Sequence, residues 1–165
     1  MRSNNTKQIA LSGMLAAVAV VIMALGGFIP VATYVCPMLC CMTQFIVFRF
    51  CGRRLAWTWF IVVSILALLM SPDKEAAMVF AAIGYYPLIK QSLDQHRFGI
   101  ILKLLYFNAS VLVAYGIMIY LLGMQEIAAE NTEFGAIGLL VILLLGNAAF
   151  FLLDKLLAIM AGKFR

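Results

Sequence analysis

Short polar stretches cut this chain into six apolar runs, and that punctuation limits what it can fold into. The runs are Ile9 to Phe28, Pro30 to Phe50, Leu55 to Met70, Ala76 to Ile89, Phe98 to Leu122 and Ala136 to Ile159. A helix crossing the hydrocarbon core of a bilayer needs about 20 residues, so each run is read as a crossing. Of the 165 residues, 65% are apolar and only 12% are charged. An average soluble domain carries about 25% charged residues. This composition excludes a disordered chain and argues against a soluble globular domain. A transmembrane barrel is excluded because no stretch alternates apolar and polar residues over roughly ten positions.

The expected fold is therefore all-α: a polytopic membrane protein with six transmembrane helices in a single bundle and both termini cytoplasmic. The predicted helices are about 8–28, 31–50, 55–70, 72–90, 98–122 and 136–160, and they make residues 1–165 one integral membrane domain. The second contains Pro37. The third and fourth are short and need tilt, flanking turns or burial. The opening run has basic residues before it, like a signal peptide. Its apolar region is too long for one and five further runs follow, so it reads as a retained helix.

Charge orients the chain. With the N-terminus, the 49–54 turn, the 90–97 turn and the C-terminus in the cytoplasm, eleven of the twelve basic residues lie inside and only Lys74 outside. Asp73, Glu75, Glu126, Glu130 and Glu133 fall on the outer side. Moving any crossing by one breaks this pattern, so the positive-inside rule supports both count and orientation. The basic balance is a consequence of topology, and nucleic acid is not an expected partner.

Polar and small residues inside the runs are the next source of information. The first helix carries Ala10, Gly13, Ala17 and Ala24 on one side, with Ser12 and Ala16 beside them. Small residues four apart allow another helix to approach closely in lipid, either within the bundle or from a partner protein. The Ser71-Pro72-Asp73-Lys74-Glu75 turn reads as a helix start with Ser71 as N-cap and Pro72 at the first position, which leaves Lys74 unexplained. Pro87 in Gly84-Tyr85-Tyr86-Pro87 removes one helical hydrogen bond and frees the Ile83 carbonyl. Asn108 and Asn147 lie about half-way along the fifth and sixth helices and predict an inter-helix hydrogen bond. Asp154, on the Asn147 face, predicts a salt bridge to Lys103 or a contact with Lys155.

Cys36, Cys40 and Cys41, with Met38 and Met42 interleaved, invite a soft-metal reading such as Cu(I). Cysteine as a small buried hydrophobe is the stronger one, so neither a metal site nor a cofactor is expected. Nothing supports catalysis: there is no HExxH, no GxSxG and no Gly-rich phosphate loop. Without a phosphate loop, uphill transport by this chain would draw on an ion gradient or on other subunits.

A basic tail followed by Lys7-Gln8-Ile9-Ala10-Leu11-Ser12-Gly13-Met14-Leu15-Ala16-Ala17, opening a six-helix protein of this size, resembles the substrate-binding S components of energy-coupling factor (ECF) transporters. Pro72-Asp73-Lys74-Glu75, Gly84 to Lys90 and Lys103-Leu104-Leu105-Tyr106-Phe107-Asn108 resemble a bacterial group of S-component-like membrane proteins. The resemblance implies a subunit of the bacterial cytoplasmic (inner) membrane that binds a vitamin-like micronutrient near its outer face. It implies a transmembrane T component and ATPase subunits as partners, with membrane lipid around them. Small first-helix residues contact the T component in that family, which carries over here to Gly13 and Ala17, with Ser12 and Ala16 beside them. The family's pocket is built from outer loops and outer helix halves, which here implies Tyr34, Asp73, Lys74, Glu75 and the 124–134 loop with Asn131. Two other classes fit the residues: a small scaffold or assembly protein without ligand, and a solitary carrier of lipid or soft metal.

Overall fold

The computed structural model describes the backbone of residues 2–26, 32–94, 99–120 and 135–163. Side chains are described over residues 5–26, 35–94, 99–119 and 144–163. All the regular structure among these residues is α-helical: α1 (Arg2–Gly26), α2 (Ala32–Cys51), α3 (Arg53–Met70), α4 (Lys74–Ile83), α5 (Tyr86–Asp94), α6 (Gly99–Tyr120) and α7 (Gly135–Lys163). Four segments are long and apolar enough to cross a membrane: Asn5–Gly26, Arg53–Met70, Gly99–Ile119 and Leu144–Lys163. Val35–Cys51 is a shorter apolar helix. Among the described residues the fold is all-α, with the apolar helices of a membrane protein.

Two differences from the sequence reading have clear causes. The first helix starts at Arg2, well before the apolar run, because the polar residues ahead of it are compatible with helix and nothing there breaks it. The fourth run, expected as one helix over 72–90, is two. It breaks at Gly84 and Tyr85, where the Leu88 N–H bonds the Tyr85 carbonyl at 3.0 Å and Pro87 has no N–H to offer Ile83.

The chain divides into two compact units, Met1–Arg97 and Phe98–Arg165. In the first, α2, α3 and α4 pack on α1, and α2 and α3 also pack on both α4 and α5. Its centre is α4, where Ala76, Ala77, Met78, Val79 and Phe80 are all buried. Gly52 joins α2 to α3 with φ of 88° and ψ of 167°, an extended positive-φ conformation essentially confined to glycine that would cost another residue about 1–3 kcal/mol. Hydrogen bonds across helices set the register. Gln8 Nε2 donates to the Phe50 carbonyl at 3.2 Å and Cys40 Sγ to the Ala19 carbonyl at 3.5 Å, so α1 and α2 are antiparallel. Trp59 Nε1 donates to the Ser12 carbonyl at 3.1 Å and Ser71 Oγ to the Met23 carbonyl at 3.1 Å, so α3 runs parallel to α1.

The second unit is an α6/α7 hairpin. Phe107 stacks on Phe150 with ring centroids 4.6 Å apart and planes at 21°. Ala114 and Met118 of α6 and Leu153 and Leu157 of α7 are also buried.

Candidate functional site

The turn between α3 and α4 is the first place where the residues behave differently from the sequence reading. The N-cap of α4 is Asp73, not Ser71: Asp73 Oδ1 accepts from the Ala76 N–H at 3.0 Å. Ser71 instead closes α3, donating its backbone N–H to the Ala67 carbonyl at 2.8 Å. Its buried hydroxyl lies 3.1 Å from the Met23 carbonyl and 3.0 Å from that of Asp73. The physical reason is geometric. The turn between α3 and α4 is so short that Ser71 is needed by the helix that ends, and the next residue with a suitable oxygen starts the new one. Lys74 also acquires an explanation. Its ammonium donates to the carbonyls of Leu68 at 2.8 Å and Leu69 at 3.5 Å, satisfying orphan acceptors at the C-terminus of α3, where a cation is favoured. Asp73 and Lys74 each serve a helix end, and Glu75 lies half-buried beside them in the first turn of α4. The Tyr34 side chain and Asn131 lie outside the described residues.

On α1, Gly13 and Ala17 are exposed and Ser12 and Ala16 are half-buried. A Cβ added at Gly13 meets nothing within 4 Å. Ser12 is occupied from within the unit, since its carbonyl takes the Trp59 indole N–H and its hydroxyl donates to the Ile9 carbonyl at 2.8 Å. Exposed Ile9, Met14, Val18 and Val21 flank the small residues, so this face of the helix is apolar with a shallow centre.

The polar residues expected inside α6 and α7 do meet. The Asn108 and Asn147 carboxamides hydrogen-bond each other, and Asn108 Nδ2 also donates to the Leu104 carbonyl at 2.9 Å. The Lys103 ammonium sits 3.2 Å and 3.1 Å from the two Asp154 oxygens, with side chains 11% and 17% exposed. A cavity of about 30 Å³ lies against this ion pair, lined by Ile100, Lys103, Leu104, Phe150, Phe151 and Asp154. It has room for one water molecule. Lys155 goes elsewhere, with its ammonium 5.1 Å from the Phe151 ring centre.

The four cysteines of α2 are free and buried, and three of them point at backbone carbonyls of neighbouring helices. Cys40 donates towards Ala19 of α1, Cys41 towards Ile83 of α4 at 4.0 Å, and Cys51 towards Gln8 of α1 at 3.4 Å. The Ile83 carbonyl is the one that Pro87 leaves without a helical donor. Cys40 and Cys41 therefore diverge, each acting as a small hydrophobe with a weak donor.

The feature that the motif reading passed over is Gln44. It is fully buried in the middle of α2, and among the described residues neither its carboxamide oxygen nor its nitrogen has a hydrogen-bond partner. The Ser64 hydroxyl of α3 is likewise buried and unpartnered. Each such group costs about 1–3 kcal/mol relative to a satisfied one. Register brings them to a common region. Cys41 is level with Ile83, and α2 and α4 run in the same direction, so Gln44, one turn on, is level with the α4/α5 break. Ser64 lies one turn from Phe60, whose ring is 5.9 Å from Phe80 and 5.8 Å from Tyr85. Trp57 completes the cluster, stacked on Tyr85 with centroids 6.3 Å apart. The signal was present in the sequence: Gln44 is the one amide in a stretch from Val35 to Phe48 whose only other polar side chain is Thr43.

No family model, curated protein or solved structure matches the chain.

Proposed function

We propose that the chain is the substrate-binding membrane subunit of an ECF-type micronutrient uptake transporter of the bacterial cytoplasmic membrane. In this reading it crosses the membrane six times, with both termini cytoplasmic, and separate ATPase subunits energise it through a T component. The observation that carries the reading is the exposed Gly13–Ala17 face of α1, where a Cβ added at Gly13 meets nothing within 4 Å among the described residues. In lipid, apolar area alone drives no association, so an open small-residue face flanked by exposed apolar side chains is suited to close helix–helix contact. The residue content agrees: the sequence carries no phosphate-loop motif, so in this reading energy comes from separate ATPase subunits.

The test is affinity purification in mild detergent from the native host, with mass spectrometry of co-purifying proteins and small molecules. Recovery of a T component and ATPases with the native chain, and their loss from a Gly13→Leu/Ala17→Leu variant of unchanged stability, supports the proposal. Recovery of the chain alone, without partner or metabolite, shifts the assignment to a scaffold or a solitary carrier.

A further inference from the structure

We infer that the first unit binds a small planar molecule bearing an adjacent N–H and C=O on one edge, read by the Gln44 carboxamide beside the α4/α5 break. This deepens the reading of the chain as a small-molecule-binding subunit and rests on it, although its test requires no partner protein.

Three independent observations converge. Gln44 is wholly buried with both amide atoms unpartnered, in a helix whose other buried side chains are apolar or cysteine. A leucine would pack there without that cost, so the amide is a polar group held ready rather than a structural one. Ser64, also buried and unpartnered, supplies a hydroxyl from α3, on the face that carries Phe60 to the break. The third observation is the break itself. Helices interrupted at membrane depth are tolerated where they are buried in protein or line a cavity.

The ligand class follows from the amide. A primary carboxamide presents one acceptor and one N–H donor side by side, and the complementary surface is a cis-amide edge, as in a lactam, imide or cyclic urea. Two parallel hydrogen bonds then satisfy both Gln44 atoms together. The helices close over Gln44 in this structure, so binding requires movement of α5, which only Gly84 and Tyr85 join to α4. Tyr85 carries Trp57 on its ring, and Trp57 therefore reports that movement.

The experiment uses the full chain purified in mild detergent, uracil as the probe and 1,3-dimethyluracil as the matched compound lacking both N–H groups. Tryptophan fluorescence is the readout, with thermal stability measured in parallel. Uracil is expected to give a saturable change that dimethyluracil does not. Gln44→Leu should weaken it by about tenfold or more, and Ser64→Ala by a smaller factor. Without probe, Gln44→Leu should melt at or above the native temperature. No response to uracil, an equal response to dimethyluracil, unchanged affinity in Gln44→Leu, or a Gln44→Leu protein that melts lower would each overturn the inference. Loss of partner co-purification with uracil binding intact removes the transporter assignment alone. The converse removes only this site.

Discussion

Asn108 and Asn147 form a reciprocal pair: Asn108 Nδ2 donates to Asn147 Oδ1 at 3.1 Å, and Asn147 Nδ2 donates to Asn108 Oδ1 at 3.2 Å. The ring closed by these two bonds fixes the rotamer of each side chain and the stagger of α6 against α7. Hydrogen bonds between membrane helices are worth about 0.6 kcal/mol on average and up to about 1.7 kcal/mol. Two bonds on one ring place this pair towards the upper end. Asn108→Ala, Asn147→Ala and the double variant should therefore destabilise by similar amounts, because removing either carboxamide removes both bonds. Unfolding in detergent checks this, and additive single effects would contradict it.

Nearer the start of α6, Lys103 and Asp154 make a different kind of contact. Both side chains are largely buried, so removing one leaves an uncompensated charge in a poorly hydrated site. Lys103→Met or Asp154→Leu alone is expected to cost about 3–5 kcal/mol. The double variant Lys103→Met/Asp154→Leu should recover most of the loss, since an apolar pair needs no desolvation. Urea or thermal denaturation of the three proteins measures the difference.

Asp73 offers a way to separate a helix cap from a charged ligand contact. Asparagine caps helices about as well as aspartate, whereas loss of the side-chain oxygen costs about 1 kcal/mol. Asp73→Ala should lower the melting temperature and Asp73→Asn should not. If Asp73→Asn abolishes co-purification of a metabolite while stability is unchanged, the carboxylate charge acts on the metabolite as well as on α4.

Glycine substitutions should split by site. A Cβ at Gly84 would stand 2.5 Å from the Phe80 carbonyl oxygen and 2.9 Å from ring carbons of Phe60 and Phe80. Overpacking of this kind costs about 1–3 kcal/mol, so Gly84→Ala should destabilise and alter the fluorescence of Trp57. Gly13→Ala faces open space inside a helix and should be neutral or stabilising by up to about 1 kcal/mol. Thermal melts of the two variants give the comparison.

Helix identity was legible in the sequence because apolar run length is a one-dimensional property, and the Asn108–Asn147 and Lys103–Asp154 pairs were legible because polar residues at similar depth have few alternatives in lipid. The break at Gly84 could be placed through Pro87 but not its completeness, since many membrane helices carry proline with only a kink. The exchange of roles between Ser71 and Asp73, and the job of Lys74, were not legible. They depend on how tightly α3 turns into α4, which no local pattern encodes. Gln44 was visible as a letter and silent as a site, because only the packed helices reveal that nothing satisfies it.

The two bonds from α3 to backbone carbonyls of α1, at Ser12 and at Met23, sit eleven residues apart, about 16 Å along the axis. They act as two rivets on one plate. Sliding α3 along α1 must break both at once, whereas rotating the pair together breaks neither. The exposed Gly13 face of α1 and the Ser71 turn are therefore tied to one helix pair, each next to one of its two hydrogen-bonded ends.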